Sequence, residues 1–512
     1  MRQRGLSGGG LVVLVLVAAL ALALAACGGG SGGGGDEAEL TGSGYPGVDI
    51  ANTREVKGSS IDSKTAPSLE VAWTVPITAE STFGAYAGSP VVAGGILYSQ
   101  DLESNVQAID LASGEVLWTK RYEEIDQGPN GVVVQEGKVF GATNSAVFAL
   151  DQKTGRQLWK TEIVRTPTEG VDMAPGYHQG LVYASTVPTN PSAEYPAGGV
   201  GTVWALDAKT GKKRWHFDTA PKSLWGKPKV NGGGGLWYPP SFDGQGAMYF
   251  GTGNPSPFPG VAGEPYGQSR PGPNLYTDSL VKLDAKTGKL RWAYQATPHD
   301  LYDWDFQNPP ILAKVGGREV AIGSGKSGLV VAVDAKTGKP VWKTAVGEHN
   351  GHDEDGLLAM RGEASKIKPG PVAPGTLGGV IAPIAANATT LFVPVVNHPI
   401  EVTGGTEISE NSPLTGEFVA LDIETGKELW SQEYEGAAFG APVVANDMVF
   451  FTTFDGTVRG LEAKTGNEVW QGSLPAASNT GVLISGDTLI VPAGLPTAEG
   501  QKAEIVAYRV GG

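Results

Sequence analysis

Val147-Phe148-Ala149-Leu150-Asp151-Gln152-Lys153-Thr154-Gly155-Arg156-Gln157-Leu158-Trp159 is the stretch on which the fold turns. An apolar run enters, an acidic residue follows, glycine stands four residues on and tryptophan eight residues on. That order spells a strand, a tight turn and a second strand. The Asp151 carboxylate is placed to accept backbone N–H groups two or three residues ahead, and Gly155 takes the left-handed position that a side chain resists. A lone hairpin has nothing to bury Trp159 against. The same spacing recurs at Asp110/Gly114/Trp118, Asp207/Gly211/Trp215, Asp284/Gly288/Trp292, Asp334/Gly338/Trp342, Asp422/Gly426/Trp430 and Glu462/Gly466/Trp470. Seven copies with one internal spacing predict like units stacked so that each tryptophan packs on a neighbour.

Where the repeats lie closest, their acidic residues are 41 and 40 residues apart, the length of a four-stranded propeller blade. Three strand-like runs after Trp470 lack a closing motif, and Leu69-Glu70-Val71-Ala72-Trp73 carries an unmatched tryptophan. The N-terminal strand is therefore expected to complete the C-terminal blade and close the ring, leaving no open edge. The predicted fold is all-β: an eight-bladed β-propeller of four-stranded antiparallel blades over residues 68–512. The interval grows to 77 residues between Asp207 and Asp284 and to 88 between Asp334 and Asp422. Extra sequence on a repeat scaffold is where binding loops sit. Trp204, Trp225, Trp237 and Trp304, the four of the 12 tryptophans outside the pattern, all fall between residues 204 and 304.

Residues 1–26 read as a targeting segment, with Arg2 and Arg4 ahead of an apolar run from Leu11 to Ala26. The run ends Leu24-Ala25-Ala26-Cys27, which resembles a bacterial lipobox, and Cys27 is the only cysteine of the 512 residues. Cys27 is thus expected to carry lipid and to hold the protein on the extracytoplasmic side of a membrane in the cell envelope. Residues 27–67 form a Gly-rich flexible linker and lead-in. One thiol excludes an intrachain disulfide, a cysteine zinc site and a covalently attached haem. The formal charge of −15 with pI near 5.0 argues against nucleic acid as a partner.

The repeats, together with Gly251-Thr252-Gly253-Asn254-Pro255-Ser256-Pro257 and Thr297-Pro298-His299-Asp300-Leu301-Tyr302-Asp303-Trp304-Asp305-Phe306, resemble the pyrroloquinoline quinone (PQQ) dependent alcohol dehydrogenases over most of residues 68–510. The resemblance implies a calcium ion held against the quinone by Glu194, Asn254 and Asp305. It makes Asp305 the general base that takes the alcohol proton, Trp237 the indole under the quinone ring, and Lys326 the cation beside the quinone oxygen. Hard Ca²⁺ suits amide and carboxylate oxygens, and an ion with ligand bonds of roughly 2.4 Å needs Asn254 and Asp305 within about 8 Å of each other. Asp303 is a further carboxylate that competes with Asp305 for the inward position. Lanthanide-using relatives carry a second Asp two residues after the base. Gln307 stands there when Asp305 is the base, which favours calcium.

The chain departs from that family on the side that holds the cofactor carboxylates. It has no vicinal cysteines. Tyr86-Ala87-Gly88-Ser89-Pro90 stands where Gln-Glu-Gly before a Pro is usual, so the Glu is missing, and Pro129-Asn130-Gly131 stands where an Asn-Arg-Gly loop is usual. The expected function is oxidation of a small alcohol by PQQ and calcium, with electrons passed to a separate acceptor. The alternative is a cofactor-free, BamB-like scaffold for envelope proteins. His349 and His352, with Asp353, Glu354 and Asp355, offer metal-ligand types but sit in a polar loop, where a solvated acidic segment is the competing reading. His299 and Asp300 read as residues that order the loop bearing Asp305.

Overall fold

The computed structural model describes residues 43–189 and 197–511. Cys27, the targeting segment and Glu194 lie outside them. The strands form eight four-stranded antiparallel blades. Seven span residues 91–120, 133–162, 176–218, 241–295, 311–345, 385–434 and 443–473. In the eighth, Leu483–Ser485, Thr488–Ala493 and Glu504–Val510 are joined by Leu69–Pro76, which pairs antiparallel with Glu504–Val510. The N-terminal strand closes the ring as expected.

The repeat motif sits at the turn into each outer strand. Asp151 Oδ1 accepts the Thr154 N–H at 3.0 Å, and the same contact recurs at Asp110, Asp207, Asp284, Asp334 and Asp422. The motif glycines have φ between +67° and +76°. Each outer-strand tryptophan then reaches the following blade. Its indole N–H donates to the carbonyl of the residue just after that blade's acidic residue: Trp118 to Gln152, Trp159 to Ala208, Trp215 to Ala285, Trp292 to Ala335, Trp342 to Ile423, Trp430 to Ala463 and Trp73 to Leu111, all at 3.0–3.3 Å. The ring lies on that blade's motif glycine, where a Cβ would come within 2.5–2.8 Å of it. Gly is thus required both by the turn and by the indole. The eighth blade has no motif turn, so Trp470 packs edge-on against Tyr508 instead, with centroids 5.1 Å apart.

Residues 43–60 of the lead-in run across the inner strands. Backbone hydrogen bonds join Gly44 to Val92 and Val134, Ile50 to Phe242, Ala51 to Leu312, Thr53 to Ala386, Arg54 to Val444 and Ser60 to Gly486, so the strap is hydrogen-bonded to seven of the eight blades. Arg54 is buried, and its guanidinium donates to the carbonyls of Pro442, Pro46 and Val482. Burial lowers its pKa to about 10, which leaves it charged at neutral pH.

Trp204 corrects the expectation that the unmatched tryptophans mark binding loops. It lies on the third strand of blade three, buried and paired opposite Ala184 and His216, because strand residues facing the neighbouring blade must be large. Trp304 is also buried, its indole N–H donating to Pro374 O at 3.0 Å. Removing one inter-blade indole leaves a void and takes away a hydrogen bond between blades. Trp292→Ala is expected to cost about 3 kcal/mol and Gly338→Val a comparable amount, read as a lowered thermal midpoint. Wild-type stability in both would show that the indole contact does not hold the blades together.

Candidate functional site

Connections between blades converge at one end of the axis on a pocket of about 430 Å³. Its wall includes Trp237, Tyr238, Phe83 and Phe439, and its depth holds Asp303, Asp305, Gln307 and Lys326. The strap lies beneath: Pro46 shares a small void with Ala87, Pro129, Tyr238 and Asn479, which also line the pocket.

Three segments laid side by side build the acidic centre. Phe306 N–H donates to Thr252 O at 3.1 Å, and Lys326 N–H to Asp305 O at 2.9 Å. Gly325 makes the second approach possible, since a Cβ there would stand 2.0 Å from Asp305 O. The side chains then meet. Asp305 Oδ1 accepts the Asn254 backbone N–H at 2.7 Å, and Lys326 Nζ stands 2.7 Å from both Asp305 Oδ2 and Asp303 Oδ2. Asn254, Asp305, Lys326 and Trp237 are therefore together, as the sequence required.

Asp303 joins them, and its environment differs from that of Asp305. Both oxygens of Asp305 are engaged, whereas buried Asp303 Oδ1 has no hydrogen-bond partner. Asp303 holds a left-handed backbone conformation, φ +64°, which Asp tolerates better than most residues. Burial pushes its carboxyl well above the usual range; Lys326 pulls the other way and the Asp305 charge adds to the rise. Gln307 does not turn to the carboxylates, since its amide donates to Ile381 O at 2.8 Å.

The loop 299–306 is fixed from behind. Asp300 accepts the N–H groups of Tyr302 and Trp304 at 2.9 and 3.1 Å, and buried Arg270 donates to Asp300 O, Pro257 O and Asn274 Oδ1. His299 Nδ1 lies 3.0 Å from Gly272 O. His299 and Asp300 thus order the loop. The Tyr302 hydroxyl donates to Asp355 Oδ2 at 2.7 Å, where His352 Nδ1 also sits at 2.6 Å. His349 pairs with Asp353. The histidine segment props the site loop, and no three His, Cys, Asp or Glu side chains converge on a metal position among the described residues. Among the described residues, an ion at Asn254 and Asp305 would draw its other ligands from amide and backbone oxygens.

Sequence reasoning missed Arg270 and Tyr238, which stand in excursions with no repeat to align them. Near the outer wall, Asn130 donates to Asp101 O at 2.7 Å and faces no partner through its own oxygen. Among the described lining residues Lys326 is the one cation, against Asp303, Asp305 and Glu410.

A propeller of eight blades with an acid–lysine pocket on its axis defines a class, and comparisons with known proteins narrow it. The profile described as glucose/ethanol/alcohol dehydrogenase, beta-propeller domain, matches residues 165–349, and that of outer membrane protein assembly factor BamB matches 65–187, 102–227 and 384–511. A quinohemoprotein alcohol dehydrogenase of Comamonas testosteroni is 29% identical over 87% of this chain and 70% of its own length. A lanthanide-dependent methanol dehydrogenase of Methylorubrum extorquens is 27% identical over 84% of this chain and 82% of its own. The crystal structure of the Comamonas enzyme superposes with a TM-score of 0.79 at 24% identity, covering 94% of this chain and 83% of that one. The chain is thus an eight-bladed propeller that resembles the PQQ-dependent alcohol dehydrogenases over most of its length.

Lys326 separates two buried carboxylates, and breaking such a cluster costs about 3–5 kcal/mol. Lys326→Met should therefore lower the thermal midpoint, with a sign set by the acids it leaves behind. A carboxyl whose folded pKa is raised loses stability as pH climbs through that pKa, and losing Lys326 raises Asp303 further. The gap from wild type should widen from pH 5 to pH 8; a gap that narrows would contradict the pairing.

Proposed function

We propose that this protein binds PQQ and a metal ion in the axial pocket and oxidises a small alcohol, passing the electrons to a separate acceptor. The observation that carries this reading is the Asp303–Lys326–Asp305 cluster closed by Asn254 and set beside Trp237. A scaffold protein has no need to bury two carboxylates and a lysine against one another at the end of its axis, which counts against the BamB-like alternative. The donor set fits the cofactor: Trp237 offers a flat face, Lys326 a cation, and Asn254 and Asp305 hard oxygens for the ion. When bound, the quinone supplies a two-electron acceptor and the metal a Lewis acid.

Two observations favour Asp303 over Asp305 as the base. Asp305 is anchored at both oxygens, as suits an ion-side ligand, while Asp303 Oδ1 is free to take the alcohol proton. Lys326 sits between the two carboxylates and opposes the rise that burial imposes on the Asp303 pKa, favouring the ionised base. Once Asp303 is the base, the residue two positions on is Asp305. That is the acid spacing the resemblance gives to lanthanide users, so a lanthanide joins calcium as the ion, and Glu194 remains a proposed ligand alongside. Lipid attachment at Cys27 would keep the propeller on the outer side of a membrane, and Cys27→Ala is expected to move the protein from the membrane to the soluble fraction.

The test adds PQQ with either Ca²⁺ or La³⁺ to purified protein and follows alcohol-dependent dye reduction. Asp303→Asn should cut the rate about 100-fold or more while quinone absorbance stays with the protein. Failure to retain quinone at micromolar PQQ with either ion would overturn the proposal.

A further inference from the structure

A second acidic pair lies outside the cluster just described. Asp126, in the connection from blade one to blade two, and Asp172, in the connection from blade two to blade three, are each 1% exposed. Their carboxyl groups are within hydrogen-bonding reach of each other. Asp126 Oδ1 accepts the Gly128 N–H at 2.8 Å, yet Oδ2 of both residues has no partner. Two acceptors in contact repel unless something positive stands between them. They open on their own cavity of about 200 Å³, whose lining adds oxygens of Asn144, Ser145 and Thr189. Glu169, also on that wall, is already held by Arg165.

We infer that Asp126 and Asp172 form a second cation site, for a hard divalent ion of the Ca²⁺ type. The donor set is all oxygen, with no histidine or cysteine among the lining residues, which selects against softer transition metals. Two carboxylates and neutral oxygens on four separate loops give the adaptable cage that Ca²⁺ accepts. Burial and, next, the Asp172 charge push the Asp126 carboxyl upward, and burial lifts Asp172 to about 6, so both groups lack a compensating charge from the protein.

The site also has a position that matters to the axial pocket. Gln127 and Thr189 line both cavities, and the Thr189 hydroxyl donates to Gln127 Oε1 across the partition. A divalent cation behind this wall neutralises the two carboxylates and so removes negative charge from beside the neutral side of the pocket, where the sequence has Asn130 in place of an arginine. This consequence rests on the proposed quinone reading; the cation site itself does not.

The experiment uses the full chain, PQQ-free and stripped with chelator, and counts Ca²⁺ bound at pH 7.5 by titration calorimetry and equilibrium dialysis. Asp126→Asn/Asp172→Asn should bind one Ca²⁺ fewer than wild type. Asp305→Asn should keep the Asp126/Asp172 ion, and Ca²⁺ should raise its thermal midpoint by several degrees, as any ligand selective for the folded state does. The Asp305→Asn arm holds even where the double variant fails to fold. Equal stoichiometry in wild type and double variant, or no Ca²⁺-dependent shift in Asp305→Asn, would show that the pair shares a proton only. Ca²⁺ bound at Asp126/Asp172 in a protein that retains no quinone would sustain this inference and overturn the proposed function.

Discussion

At seven of the eight junctions a blade is held to the next by one indole that does two things at once: its N–H satisfies a turn carbonyl, and its face covers a glycine. The rest of the molecule depends on that contact because the apolar packing between blades is non-directional, whereas the indole contact fixes their order and tilt. Burying an indole stabilises by a few kcal/mol, and the directional N–H···O bond prevents the blades from sliding along one another. Repeated seven times, the contact turns a chain of sheets into a ring. Trp73 applies it across the seam, which is why residues far apart in sequence, Leu69–Pro76 and Glu504–Val510, share one blade.

A ring so defined fixes where the irregular chain must go. The connections leaving the outer strands all return to the axis at the same end, so residues from distant parts of the sequence arrive within a few ångströms: Asn254, Asp305 and Lys326 come from three segments and touch at 2.7 Å. The strap closes the inner strands below them through main-chain hydrogen bonds. A pocket with a floor and a rigid rim can hold carboxylates in unfavourable proximity, because the scaffold rather than the site supplies the stability.

The ring was legible from sequence because its turns need particular residues. Asp, Gly and Trp each answer a local demand that no other residue meets as well, and the spacing repeats. The strap was not legible: its contacts to seven blades are made by backbone atoms, and Gly44, Ile50, Ala51 and Thr53 carry no side-chain signature of that role. Among the site residues, the motif carrying Asp303 and Asp305 was recognised as a unit, but which acid has a free oxygen depends on a left-handed bend at Asp303 and on the Asn254 N–H. Neither is a property of residue type. Trp204 and Trp237 show the same limit, one filling a strand face and the other lining the pocket although both stand outside the repeat.

Charge then connects the two acidic pairs. A folded chain gains nothing from burying Asp303, Asp305, Asp126 and Asp172 with Lys326 as the one cation among the described residues of the axial pocket, since each unpaired carboxylate costs more by desolvation than its neighbours return. Such an arrangement destabilises the free protein and favours whatever positive species enters it, so the same acids that weaken the fold strengthen ion binding. In the axial pocket Lys326 already supplies part of that charge, whereas Arg165, beside the cavity of Asp126 and Asp172, is engaged by Glu169 and Asp218 and leaves the second pair uncompensated.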